Sequence, residues 1–315
     1  MNEETAVALA ELYVPLFRVS PPPLQTRISY LLPSPRTLIG ILASGLGKYL
    51  GLNPEAKVGG EKIRRRLTWD VIGSNVMMTC RAGAWVYKTS SILRVWLIER
   101  HDLLKEVSKK GTKPTNESFP REKIMDAIIH EYVSCDKLIV YAVTNLNRFA
   151  EGLNTLLREA GLDEIDSSEV REILAKSMKL VDRVGDSESI ATTIRASLVK
   201  ISEVTEEGIL NTMSPMKWIE AHDSNTNIIQ DMPITPLIEG GHISINKYKS
   251  QEMILPLRPK FEKILYYENA PYRAKVRKGH CILIFESGDS VVVPEYLLHG
   301  ETDERQKGKK GGRIR

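Results

Sequence analysis

The tightest constraint on this chain is a helix start written at Ser34-Pro35. Serine is a favoured N-cap because its hydroxyl accepts from a backbone N–H that the first helical turn leaves unpaired. Proline suits the first helical position, where no N–H is needed. Behind them Leu38, Ile41, Leu42, Leu46 and Tyr49 recur on one face at helical spacing, and Gly51 supplies a stop. Gly40, Ser44 and Gly47 form a second stripe of small residues, which permits close approach of another backbone. Ahead of the helix, residues 12–19 read as a first strand, with Pro15 placing it at an edge or a bulge. A strand, a loop at Pro21-Pro22-Pro23 and an amphipathic helix therefore open the fold.

Further along, residues 68–98 are rich in Trp, Val, Thr, Ile and Tyr and broken at Gly83, and they predict two or more strands, as a protruding hairpin. The polar stretch 105–118 predicts an exposed loop, and 121–132 a helix. Leu138-Ile-Val-Tyr-Ala-Val143 is a strongly apolar strand, followed by helices around 147–160 and 167–179. Val181 to Ile190 reads as a glycine-containing turn, and Ile194 to Val204 alternates like a strand. Residues 215–260 carry Pro215, Pro233, Pro236, Pro256 and Pro259 and predict an extended, turn-rich stretch. Cys281 to Phe285 and Ser290 to Val293, joined through Ser287-Gly288-Asp289, predict a hairpin. The order of elements in the first two-thirds suits an α+β class, ferredoxin-like or built on an RNA-recognition motif.

Composition excludes several classes. Hydrophobic residues are 42% of 315, enough for a packed core and too many for a wholly disordered chain. Cys80, Cys135 and Cys281 are far apart, with no paired spacing and no histidine nearby at metal-ligand spacing, so neither a structural zinc nor any cofactor is expected. No apolar run approaches the roughly 20 residues that span a bilayer, and no signal peptide is visible, so a cytoplasmic protein without a membrane partner is expected. The net charge of +4 is too small to name an anionic partner, which leaves local clusters of Arg and Lys as the informative feature.

Three segments resemble the CRISPR-associated Cas-five family. Phe17-Arg18, followed by Ser29-Tyr-Leu-Leu-Pro-Ser-Pro-Arg-Thr-Leu-Ile-Gly-Ile-Leu-Ala43, is similar to the family's opening strand and first helix. Asp126-Ala-Ile-Ile-His-Glu-Tyr-Val133 resembles its Asp-Ala-x-x-Arg-Glu-Tyr-Leu, with His130 where the family has Arg. Asp182-Arg-Val-Gly-Asp-Ser-Glu-Ser189 resembles its Arg-x-Gly-x-Ser-Glu-Ser turn, as in archaeal type I-A members. The resemblance implies a modified RNA-recognition-motif domain with a β-hairpin thumb over 1–214, the hairpin inserted at about 68–98. A smaller β-rich C-terminal domain would follow at 215–300, and a basic flexible tail at 301–315. It also implies partners: the 5′ handle of a CRISPR RNA (crRNA), the repeating backbone subunit and large subunit of a Cascade effector complex and, indirectly, target DNA.

On that reading Arg18, Arg27 and Arg36, around the first strand and helix start, would meet handle phosphates; otherwise they are solvated surface arginines. In the turn, Arg183, Gly185, Ser187 and Ser189 could offer a cation, backbone N–H groups and hydroxyls to a phosphate, or form an ordinary loop that uses Gly185 for positive φ. Lys88 and Arg94 lie among Arg81, Trp85 and Tyr87, the mixture of cations and aromatics that holds single-stranded RNA; Trp96 reads as core. Arg64-Arg65-Arg66 is an exposed patch, either tracking phosphate or merely solvated.

The leading function is a non-catalytic subunit that caps the handle and nucleates assembly in antiviral defence. The competing one is a metal-independent endoribonuclease that processes repeat RNA, and a third is a type III analogue on the same fold. Nuclease chemistry of that kind needs His, Lys and Tyr converging on a 2′-hydroxyl. Its candidates are His101, His130 with Tyr132, and His280, none of which has a signature spacing.

Overall fold

The computed structural model describes residues 4–19, 28–51, 72–96, 125–185, 189–223, 225–239 and 242–298, with side chains described except at 91–96, 125–130, 159 and 235–248. Its central sheet has the order β2-β5-β1-β6, from strands Thr5–Tyr13 (β1), Val76–Ala82 (β2), Leu138–Asn145 (β5) and Thr192–Leu198 (β6), with every neighbouring pair antiparallel. Helix α1 (Pro35–Tyr49) follows β1, and α2 (Leu146–Glu159) and α3 (Val170–Lys179) lie between β5 and β6.

Strand β5 is buried along its whole length, and its alternation explains why. Leu138, Val140 and Ala142 face one core with Leu38, Leu42, Ile173 and Leu174 of the helices. Ile139, Tyr141 and Val143 face a second core with Leu283, Phe285, Val291 and Val293. Strand β1 divides the same way, with Ala6, Ala8, Ala10 and Leu12 towards the helices and Val7 and Leu9 on the other side. A strand covered on both faces needs no polar positions, so its sequence is a continuous apolar run.

The predicted cap of α1 is present: Thr37 donates its backbone N–H to the Ser34 hydroxyl at 3.3 Å, with Pro35 at the first helical position. Helix α1 meets α3 at Gly45, where a Cβ would stand 2.1 Å from the Ser177 carbonyl oxygen. The second helix is capped by Asn145, whose side chain accepts from Arg148 N at 3.2 Å.

The second four-stranded sheet has the order β13-β14-β3-β4, from Trp85–Trp96 (β3), Met125–Cys135 (β4), Leu257–Phe261 (β13) and Leu265–Asn269 (β14). Three smaller sheets complete the described residues: β17-β16-β7, β10-β15-β8 and β11-β12-β9. Their strands are Ile201–Thr205 (β7), Glu207–Leu210 (β8), Ser214–Pro215 (β9), Ile219–His222 (β10), Ile229–Glu239 (β11), His242–Ile254 (β12), Tyr272–Val276 (β15), His280–Phe285 (β16) and Ser290–Pro294 (β17). The hairpin β16–β17 turns at Gly288, with φ +82°, as its sequence predicts.

Several expectations are corrected. The helix expected at 121–132 is, over its described part, strand β4, paired residue by residue with β3 from Val86↔Cys135 to Trp96↔Met125. Its apolar residues fall at both helical and strand spacing, and the long partner strand decides between them. The first strand is Thr5–Tyr13, and beyond Pro15 only single bridges at Phe17 and Arg18 continue it. The strands within 68–98 do not pair with each other, because β2 joins the central sheet and β3 the second. The alternation from Ile194 to Val204 is two strands in different sheets. Within 215–260 the chain forms a long hairpin, β11–β12, whose register shifts at Pro233/Thr235 and Pro236/Leu237. Proline cannot donate to a ladder, so bulges on the edge strand β11 accommodate it. Among the described residues no helix is long and apolar enough to cross a membrane.

Candidate nucleic-acid interface

The three segments that carry the family resemblance meet in one place. Phe17 and Val133 exchange backbone hydrogen bonds at 2.8 Å each, which ties the opening segment to β4. One residue on, Arg18 forms a parallel bridge to Gly185, and its N–H donates to the Ser189 hydroxyl at 3.0 Å across 171 residues of sequence. Val19 N donates to the Ser29 hydroxyl at 3.1 Å, and Tyr30 N to the Val19 carbonyl at 3.0 Å, so the chain returns on itself before α1.

The turn from Asp182 to Ala191 is closed by Val184 N to the Ser189 carbonyl at 3.0 Å and Ala191 N to the Asp182 carbonyl at 2.8 Å. Val184 is fully buried and plugs the turn into the first core. Gly185 has φ +93°, a left-handed conformation that side chains disfavour, and a Cβ there would meet the Arg18 carbonyl oxygen at 2.3 Å. Two independent constraints therefore call for glycine. Arg183, on the outer face of this turn, is exposed.

Arg18 itself is 4% exposed, and its guanidinium lies 5.6 Å from the centroid of the Tyr132 ring. Such a cation–aromatic contact, shielded from water, strengthens beyond its surface value. The carboxylate of Glu131 accepts from Lys88 Nζ at 2.9 Å and from Ser29 N at 3.0 Å. Lys88 and Glu131 are each 25% exposed at the side chain, so a phosphate approaching Lys88 would compete with a half-buried carboxylate. Tyr267 of β14 faces the same group: burial first, and the Glu131 charge second, push its hydroxyl above its usual range.

Of the residues singled out in the sequence, the structure brings together Arg18, Arg183, Gly185 and Ser189, with Lys88 joined to this group through Glu131 and Ser29. Arg36 occupies the second position of α1, next to the capped N-terminus. Arg94 lies on β3 opposite Ala127. Arg27, Ser187 and Arg64-Arg65-Arg66 lie outside the described residues, as does the side chain of Trp96. Trp85 is 39% exposed at the start of β3, while Tyr87 is half-buried. Sequence reasoning passed over Glu131, Ser29 and Tyr267 as organisers. Glu131 sits in a quoted segment, but its partner Lys88 is 43 residues away and only strand pairing brings them together.

The nuclease candidates occupy different settings. Tyr132 lies under Arg18, whereas His280 packs against Trp218, tilted, with ring centroids 5.0 Å apart. His101 and the side chain of His130 lie outside the described residues. Among the described residues no group of three or more His, Cys, Asp or Glu is placed to hold a metal ion.

Fold and site together define a class: a mixed α/β protein of antiparallel sheets, with a glycine turn locked beside a buried arginine. No family model matches the chain. The chain is 27% identical over 273 residues to the CRISPR-associated protein Cas5 of Methanocaldococcus jannaschii, a match that covers 85% of this chain and 90% of the relative. Over that length the chain is similar to a CRISPR-associated Cas5 protein. A crystal structure of a CRISPR protein from Archaeoglobus fulgidus is similar over 92% of this chain and 99% of that one, at 11% identity and a TM-score of 0.46. A chain of a CRISPR RNA-guided surveillance complex is similar over 84% and 91%, at 11% identity and a TM-score of 0.37. At those scores neither likeness bears on function.

Proposed function

We propose that this chain is a non-catalytic, RNA-binding subunit of a CRISPR effector complex of the Cascade kind, which caps the 5′ handle of the crRNA and nucleates assembly with the backbone and large subunits. The observation that carries the reading is the convergence at Arg18. Segments separated by more than a hundred residues, each resembling the family, are stitched together by backbone bonds at one site. An exposed cation at Arg183, on a turn whose backbone is held by internal hydrogen bonds, suits phosphate positioning rather than bond cleavage. The strand order β2-β5-β1-β6, with the helices after β1 and β5, supports reading the core as a ferredoxin-like, RNA-recognition-motif domain. The paired strands β3 and β4 are then its β-hairpin thumb.

The experiment is isolation of the complex from its host and sequencing of the bound RNA. Small RNAs sharing one repeat-derived 5′ end are the expected result; random cellular RNA would overturn the reading. Repeat RNA incubated with the purified chain in EDTA should stay intact. In the same preparation Arg183→Ala should weaken handle binding for every sequence alike and flatten the salt dependence by about 0.7.

A further inference from the structure

A second cationic surface lies away from the handle site, on a separate core. The short turn Met216–Trp218 leads into β10, and the turn Arg277–Gly279 leads from β15 into β16. The two turns are locked together. Arg277 N donates to the Trp218 carbonyl at 2.8 Å, Arg277 Nε to the Ile219 carbonyl at 3.0 Å, and His280 N to the Arg277 carbonyl at 3.1 Å. The rings of Trp218 and His280 pack in a tilted arrangement, with centroids 5.0 Å apart and planes 31° apart. Gly279, at φ +86° with open space around it, lets the second turn protrude. The whole unit packs on the core of Leu210, Ile219, Tyr272, Ala274 and Val276, which shares no residue with the core under Arg18.

Lys217, Arg277 and Lys278 are all exposed at this junction. Their neighbours on the same sheet have neutralised partners: Arg273 pairs with Glu207 and Lys275 with Glu220, each at 3.1 Å. Among the described residues no carboxylate pairs with Lys217, Arg277 or Lys278; Glu295 is the acid whose charge is felt at His280. Three uncompensated cations around a packed aromatic pair are the combination that single-stranded nucleic acid uses, with phosphates on the cations and a base against the ring. An acidic peptide would need the charges and not the aromatic pair.

We infer that the junction of Lys217, Trp218, Arg277, Lys278 and His280 is a second nucleic-acid contact, taking a single-stranded phosphodiester segment other than the handle. The strand is either a further stretch of guide RNA or a DNA strand, since both offer the same phosphates and stacking faces. The contact stands or falls apart from the handle reading, because its residues and its core are different.

The test titrates the full chain with labelled single-stranded oligonucleotides lacking repeat sequence, one ribose and one deoxyribose, between about 50 and 200 mM salt. Lys217→Ala/Lys278→Ala should flatten the salt slope by about 1.4, two contacts at roughly 0.7 each, with unchanged melting of the protein. Arg183→Ala should leave that difference intact. Quenching of tryptophan emission on binding should shrink in Trp218→Phe. Preference for the ribose or deoxyribose strand distinguishes guide from DNA, and either supports the contact. An unchanged slope and affinity in the well-folded double variant would overturn it, and so would a poly-glutamate peptide that binds the junction as tightly as the oligonucleotides.

Discussion

Asp289 sits where three parts of the chain meet. Its carboxylate takes Arg81 Nη2 of β2 at 3.0 Å and Asn211 Nδ2 at 2.6 Å, and it accepts the hydroxyl of Tyr141 from the centre of β5. The Arg81 and Asp289 side chains are only 16% and 10% exposed. Burial, reinforced by the hydrogen bond to Asp289, pushes the Tyr141 hydroxyl well above its usual range and keeps it a donor. A pair this deep is worth little compared with apolar residues of the same shape, but removing one partner leaves the other charge uncompensated. Asp289→Ala should therefore cost about 3–5 kcal/mol in urea unfolding, and an apolar replacement of both partners, Arg81→Met/Asp289→Leu, should recover most of it. A cost under about 1 kcal/mol for Asp289→Ala would show that water reaches Arg81 and screens it. The same scale governs the turn at Gly185. Gly185→Ala should abolish the geometry around Arg18 and, on the proposed function, most handle affinity, whereas Ser189→Ala removes one neutral hydrogen bond, of about 0.5–1.5 kcal/mol.

At the scale of elements, the close approach of α1 to α3 at Gly45 sets two effects against each other. Alanine is better than glycine within a helix by roughly 0.5–1 kcal/mol, but the new methyl would press on the backbone of Ser177, and overpacking costs about 1–3 kcal/mol. The backbone cannot move aside as a flexible side chain would, so Gly45→Ala should lower stability by chemical denaturation; a gain would mean that α3 shifts freely. The sequence announced this contact only loosely, through the nearby stripe Gly40, Ser44 and Gly47. Features written in adjacent residues were legible: the Ser34-Pro35 cap, the turn at Gly288, the buried run of β5. Features decided by a distant partner were not. Strand β4 looked helical because its apolar spacing fits both periods, and only the eleven residues of β3 paired opposite make it a strand. The turn around Gly185 was legible as a glycine-containing turn, while the Lys88–Glu131 pair was hidden behind strand register.

For the whole molecule, the question is whether the C-terminal hairpin and the central sheet fold as one unit. The second core draws on both: Val7, Leu9, Ile139, Tyr141 and Val143 come from β1 and β5, and Cys281, Leu283, Phe285, Val291 and Val293 from β16 and β17. Asp289 adds a buried polar tie across the same contact. Three thiols report on this directly. Cys80 and Cys135 lie in the first core and Cys281 in the second, all at most 4% exposed. Burial is the main cause that raises each of them, with Cys135 and Cys281 pushed up to about 12 from 9.0. In the folded protein at pH 8 they are protonated and enclosed, so a thiol reagent should label none of them at an appreciable rate. Between pH 9 and 12 the unfolded chain ionises its thiols while the folded chain keeps its protons. The folded state then binds more protons, so stability should fall as pH rises through that window. With increasing urea at pH 8, one shared core predicts that Cys80, Cys135 and Cys281 become reactive together, at the midpoint seen by circular dichroism. Labelling of Cys281 at lower urea than the other two would show that β16–β17 detaches first, and that the core it shares with β1 and β5 contributes too little to couple them.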